Sequence, residues 1–192
     1  MNTIESVAKA VAIFEQAGTP YALLHTTNLY PTPPHLVRLG AMVELGKAFP
    51  RAVIGLSDHT TDNIACIGAM ALGASIVERH FTDHMSRVGP DIVCSMDEAH
   101  CRGLIEAAKT LHAELGGTKG PIKEEQVTMD FAFATVVTIQ PVKAGEAFTK
   151  QNLWVKRPGT GAIPAERYKD LLGKTARRHI AADTHLAIDD ID

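Results

Sequence analysis

His59 and His80 each follow a short apolar run. Ala52–Leu56 leads through Ser57 and Asp58 to His59, and Ala74–Val77 leads through Glu78 and Arg79 to His80. Side chains alternate faces along a strand, so Val53, Gly55, Ser57 and His59 share one face, as do Ile76, Glu78 and His80. Adjacent parallel strands lie about 4.8 Å apart, a spacing that suits two imidazoles on one metal ion. Two protein ligands leave coordination positions open, as a Lewis-acid site requires. Imidazole ligands suit Mn, Fe, Co or Zn alike. The same pattern also suits two packing or hydrogen-bonding histidines.

Other polar residues gather at the same level. A first apolar run, Tyr21–His25, opens into Thr26, Thr27, Asn28 and Tyr30. In parallel α/β proteins ligands bind beyond the carboxyl ends of the strands. Asp91, in the run Gly89-Pro90-Asp91, could accept a substrate hydroxyl or act as a base; a turn-forming Asp after Pro is the alternative. Arg157 stands between Trp154 and the Pro158-Gly159 turn, where it could clamp a carboxylate or a sugar, or lie in solvent as a turn residue. His84, His100, His112, His179 and His185 read as surface residues. Gly116-Gly117 lacks the preceding strand and the Lys-Ser/Thr of a phosphate loop.

These residues need a scaffold. Ile4, Val7, Val11 and Phe14 recur at helical spacing after an Asn2/Glu5 capping pattern. Further helices are expected over about 36–49, 62–72 and 97–115. Strands separated by single helices predict right-handed βαβ units and a parallel sheet over residues 1–118. Residues 119–129 have no periodicity and read as a linker. From Asp130 the texture changes: Phe133–Ile139 is β-branched, and Pro141, Gly145, Pro158, Gly159 and Gly161 punctuate the remainder of the chain. A small β-rich domain over 130–192 is expected. Within it V-K-A-G-E-A-F-T and I-A-A-D-T-H-L-A resemble two copies of one turn-and-strand element.

Composition narrows the class. The chain has 192 residues, 19 Lys+Arg against 22 Asp+Glu, and 45% hydrophobic residues. Near-balanced charge without a basic run argues against nucleic-acid binding. The apolar content suffices for a core. No apolar stretch approaches the roughly 18 residues of a membrane span, and the start lacks a signal-peptide pattern. Cys66, Cys94 and Cys101 do not form a disulfide framework. A cytoplasmic protein without membrane or nucleic-acid partners is expected.

Five motifs, in order, carry a family resemblance: LLHTTNLYPTP (23–33), IGLSDHT (54–60), ERHFT (78–82), GPDIVCSM (89–96) and LWVKRPGTG (153–161). Together with DFAF (130–133) they resemble the sialic acid synthase family, most of all its bacterial N-acetylneuraminate synthases. The resemblance implies an α/β fold: a (β/α)8 TIM barrel followed by a small antifreeze-like, or SAF, β-clip domain. It implies condensation of phosphoenolpyruvate with N-acetylmannosamine and release of phosphate, with a divalent metal, commonly manganese. By the same resemblance His59 and His80 match the metal ligands. Asn28 and Ser57 match residues near phosphoenolpyruvate, and Tyr30 and Asp91 match contacts to the amino sugar. Arg157 matches an Arg that the SAF domain delivers into a partner's barrel in a domain-swapped homodimer, and Phe131 lies at that interface.

The family barrel has eight strands, whereas this chain has room for about three. Met1–Glu5 resembles the family segment after the fifth strand, so the chain reads as beginning at an internal Met. The absent half would carry the lysines that hold phosphoenolpyruvate and the glutamates of acid/base work. Two further readings stand beside this one: a truncated, non-catalytic product, and a synthase for a legionaminic or pseudaminic acid precursor. Where the family repeat often has Gly before the acidic turn residue, this chain has Ala182 before Asp183.

Overall fold

The computed structural model describes residues 1–192, in two units, Met1–Gly117 and Thr118–Asp192. The first opens with α1 (Ile4–Gln16). Its N-cap is Thr3, whose side chain accepts from the Ser6 amide at 3.3 Å, in place of the expected Asn2/Glu5 box. Asn2 instead accepts from the Ser6 hydroxyl. Strand β1 (Ala22–Thr26) follows, and then the expected single helix is split. Helix α2 (Pro34–Val37) ends at Arg38, left-handed at φ 54°, and α3 (Leu39–Ala48) begins there. The break is caused by bonds from outside the helix. Thr27 Oγ1 donates to the Leu36 carbonyl at 2.8 Å and His25 Nε2 bonds the Val37 carbonyl at 2.9 Å, so β1 and the residue after it capture the last acceptors of α2.

Strand β2 (Val53–Asp58), α4 (Ile64–Ala71) and β3 (Ile76–Arg79) complete the sheet. Its order is β1-β2-β3 and both pairings are parallel, with Thr26 opposite Ser57 and Ser57 opposite Glu78. β3 begins two residues later than expected. The Ala74 amide closes the end of α4 on the Ala69 carbonyl, and Ser75 donates to Ile54 before the ladder starts. One face of the sheet is packed: Leu56 lies in a cluster with Met42, Cys66, Ala69 and Leu104. The opposite face carries Val53, 45% exposed, and Ile76, 38% exposed. Gly55 sits where a Cβ would lie 2.5 Å from the Ile76 carbonyl oxygen, so only glycine fits. Helix α5 (Glu98–Glu114) is capped by Asp97, which accepts from the His100 amide at 2.9 Å. That bond is the main reason the Asp97 carboxyl titrates below its ordinary range. No helix is long and apolar enough to cross a membrane.

The second unit places regular structure within the residues expected as a linker. Residues 123–125 form a 3-10 turn that leads into α6 (Gln126–Ala132). The Glu125 side chain accepts from the Ile122 amide, and the Gly159 amide donates to the Asp130 carbonyl at 2.7 Å. The helix is seven residues long, too short to show a period in sequence. Strands β4 (Thr135–Thr138) and β5 (Leu153–Lys156) pair antiparallel, with Val137 opposite Trp154. A last helix, α7 (Tyr168–Leu171), helps close a core of Val136, Val142, Phe148, Leu153, Ile180 and Leu186.

The repeated segments occupy matched places in this core. Val142 and Ile180 exchange both backbone hydrogen bonds at 2.9 Å. Gly145 and Asp183 both take left-handed turns, at φ 80° and 56°. Gly145 donates to the Ala176 carbonyl as Asp183 donates to that of Thr138, each at 2.7 Å. Phe148 donates to Lys174 as Leu186 donates to Val136. Asp carries the conformation that Gly provides in the first copy, since Asp tolerates the left-handed region better than most residues.

Candidate functional site

The parallel register places the residues after β2 and β3 side by side. The His59 and His80 rings stand edge to face with centroids 5.2 Å apart. His59 is buried, and its Nδ1 lies 3.0 Å from the Thr27 carbonyl. A carbonyl only accepts, so Nδ1 carries the hydrogen and the Nε2 lone pair of the neutral ring stays free. The His59 carbonyl in turn accepts from the Thr32 amide at 2.8 Å. Tyr30, about half exposed, covers the pair, its ring 4.2 Å from His59 and 5.6 Å from His80.

Beneath the histidines a buried network ties the strand ends together. Asp58 and Arg79 are register partners, one residue before His59 and His80, and both point into the helix layer. Arg79 Nε lies 3.2 Å from Asp58 Oδ2, an ionic contact without hydrogen-bond alignment. Its Nη1 donates to Asn63 at 2.6 Å and its Nη2 to the Thr60 carbonyl at 2.8 Å. Thr60 returns its amide to Asp58 Oδ1 and its hydroxyl to Oδ2. Cys66 Sγ lies 3.7 Å from the same carboxylate. Burial first, then the Asp58 charge, push the Cys66 thiol up to about 12, so it is an inert core thiol.

The loop after β3 folds back on it. Met96 donates to the His80 carbonyl at 2.8 Å, and Thr82 donates to that of Met96 at 2.9 Å. This fold-back brings Asp91 beside His80, with Oδ2 3.7 Å from Nδ1. Ser57 and Glu78, opposite each other on the open face, share a hydrogen bond of 2.8 Å. Asn28 is half-buried and lines a cleft of about 310 Å³ with Thr26, Thr27 and Arg38. In the first unit, then, Tyr30, His59, His80 and Asp91 form one group, with Ser57 on the same face and Asn28 in the neighbouring cleft. In the second unit the Arg157 guanidinium sits 5.6 Å over the Phe131 ring, a cation–π contact.

The contacts of three participants escape sequence reasoning. Thr27 acts through its backbone, which no residue type announces. Glu78 is legible as a face-mate of His80 from strand alternation, but its bond to Ser57 needs the register. Cys94, fully buried in a 3-10 turn over Ile92–Cys94, comes near His80 only because the loop folds back. Burial, then the nearby Asp91 charge, raise its thiol above the ordinary value. One surface assignment is corrected: His185 Nδ1 lies 2.6 Å from Thr135 Oγ1, behind β4.

The donor set fits a divalent transition ion. One imidazole has its tautomer fixed by a carbonyl behind it, and a second stands within reach beside open space. Imidazole nitrogen suits ions such as iron, cobalt and zinc, and manganese also takes it.

Three parallel strands alternating with helices, followed by a small antiparallel β unit, have the architecture of the C-terminal part of a (β/α)8 barrel joined to an SAF-type domain. Residues 1–120 match the NeuB family and residues 133–192 match the SAF domain. The chain belongs to the NeuB family. It is 36% identical over 162 residues to an N,N'-diacetyllegionaminic acid synthase of Campylobacter jejuni, covering 84% of this chain and 48% of that protein. It is 35% identical to a pseudaminic acid synthase of Helicobacter pylori, covering 88% and 50%. Among solved structures, an N-acetylneuraminic acid synthetase from Leptospira borgpetersenii, in complex with citrate, superposes with a TM-score of 0.61 at 28% identity, covering 67% and 45%. The chain spans about half the length of the relatives it matches.

Proposed function

We propose that this chain is the C-terminal portion of an enzyme that condenses phosphoenolpyruvate with N-acetylmannosamine, giving N-acetylneuraminate and phosphate. The supporting observation is the paired His59 and His80 at adjacent strand ends, with Tyr30 and Asp91 against them. In the reaction, C3 of the enol attacks the open-chain aldehyde. Water then adds at C2, and the tetrahedral intermediate expels phosphate. A divalent ion held by His59 and His80, manganese for preference, supplies Lewis acidity toward the aldehyde oxygen.

The chain's own groups do the rest of this portion's work. Thr27 holds the His59 ring so that Nε2 faces the open side. Tyr30 walls the site and limits water, and with Asp91 it contacts the amino sugar. The Asp91 carboxylate, about half exposed, accepts a sugar hydroxyl. Ser57 and Asn28 lie near phosphoenolpyruvate, and Ser57 is oriented by Glu78. Arg157, braced on Phe131, offers a fixed cation to the sugar end from a partner subunit in a domain-swapped dimer. Holding both reactants in contact supplies a proximity advantage of several kcal/mol.

The test is phosphate release by the full-length protein with phosphoenolpyruvate, N-acetylmannosamine and Mn²⁺. Turnover that His59→Ala abolishes is expected; no turnover, or an unaffected variant, overturns the reading. A second reading keeps the chemistry and changes the acceptor to a diacetamido sugar, in line with the names of the Campylobacter and Helicobacter relatives. Competition between acceptors decides between them.

A further inference from the structure

We propose that His80, Asp91 and Cys94 form a second ligand set, which captures a thiophilic divalent ion of the zinc class without using His59. Ligand atoms of these three residues all lie within 4.8 Å of one another. The two histidines differ in what stands behind them. His59 Nδ1 is occupied by the Thr27 carbonyl at 3.0 Å. His80 Nδ1 has only Asp91 Oδ2 at 3.7 Å, too far for a hydrogen bond, so nothing fixes its tautomer or commits that nitrogen.

The third ligand is in place, with one thiol hydrogen bond to give up on metal binding. The Cys94 thiol donates to the Asp91 carbonyl at 3.2 Å, and the Ser95 hydroxyl donates to the same oxygen at 2.8 Å. These bonds hold the turn, and the backbone bonds between Met96, His80 and Thr82 hold the turn against β3. Zinc-class bonds of about 2.0 Å to nitrogen and oxygen and about 2.3 Å to sulfur need the three atoms somewhat closer than they stand. The side chains of Asp91, 53% exposed, and His80, 34% exposed, have the freedom to supply that closure. Water fills the fourth position.

Ligand chemistry separates the two sets. Manganese and magnesium favour oxygen donors, manganese taking imidazole as well, and both leave a buried thiol protonated. Zinc, cadmium or cobalt(II) replaces the thiol hydrogen with a metal–sulfur bond, and the proton leaves to solvent. Such an ion takes His80 from the pair it makes with His59. The consequence is inhibition by zinc-class ions; that consequence, though not the ligand set, rests on the function proposed above.

Cobalt(II) is the probe, titrated into the full-length protein, with Mn²⁺ binding followed in parallel by electron paramagnetic resonance. The expected result is a near-ultraviolet sulfur-to-cobalt charge-transfer band at one equivalent. Cys94→Ser should remove it, while Cys66→Ser and Cys101→Ser keep it. His80→Ala, which leaves every thiol in place, should also remove the band with the far-ultraviolet circular dichroism unchanged. His59→Ala should abolish Mn²⁺ binding and leave the band. No band in the unaltered chain, or a band that survives Cys94→Ser or His80→Ala, overturns the proposal. Loss of the band in His59→Ala returns the ion to the histidine pair and overturns it too. A band without Mn²⁺ binding in the unaltered chain supports this ligand set and counts against the proposed function instead.

Discussion

The two units bury their sheets differently. In the second, every residue of β4 is buried, and Val142, Phe148, Leu153 and Ile180 are closed to solvent entirely. In the first, the sheet is covered by helices on one face only, and Val53 and Ile76 on the other face meet water. Parallel sheets are normally covered on both faces, so the open face is what an unclosed barrel leaves. The candidate site residues Ser57, His59 and His80, with Glu78 beside them, belong to that open side. A site assembled on the interior face of a barrel depends on the remainder of that barrel, whereas the small unit carries its own core.

The largest expected effect is on autonomy. Residues 118–192 expressed alone should unfold in a single cooperative transition with dispersed amide resonances. Residues 1–117 alone should be rapidly proteolysed or self-associate, because a three-stranded parallel sheet has two open edges. A dispersed, protease-resistant monomer of 1–117 would break the comparison. Next, Phe148→Ala should destabilise the second unit by about 3–5 kcal/mol, read by denaturant unfolding. Arg79→Met should cost a similar 3–5 kcal/mol in the first unit by leaving Asp58 buried without its partner. It should also weaken Mn²⁺ binding, since the network ends one residue before both histidines. Ile76→Ala, on the open face, should change stability by less than about 0.5 kcal/mol in the chain as it stands. A large loss there would mean that the face is covered.

Much of the architecture was legible because parallel β/α units repeat one simple alternation. The strands at 22–26 and 53–58 announce themselves as apolar runs, and the polar residues that end them mark the ligand side. The short elements were not legible. Helix α6 has too few residues for a period, and the break at Arg38 depends on bonds from Thr27 and His25, far off in sequence. Among site residues, the alignment of His59 with His80 follows from strand alternation plus an assumed register. The approach of Asp91 and Cys94 to His80 does not, because it is made by a fold-back whose bonds run between backbone atoms.

The matched turns at Gly145 and Asp183 carry a consequence for how the small unit is organised. Val142 bonds to Ile180, its own counterpart, and each other partner is exchanged for its counterpart when the two copies are swapped. A residue meeting its own equivalent is the signature of a twofold axis, as in the interface of a symmetric dimer. The unit is organised as two like arms clasped about a local dyad and joined in one chain. The two arms differ at the turn, where Gly145 in one stands in the place of Asp183 in the other. Mutational tolerance in this unit should therefore come in symmetric pairs, Val142 with Ile180 and Phe148 with Leu186.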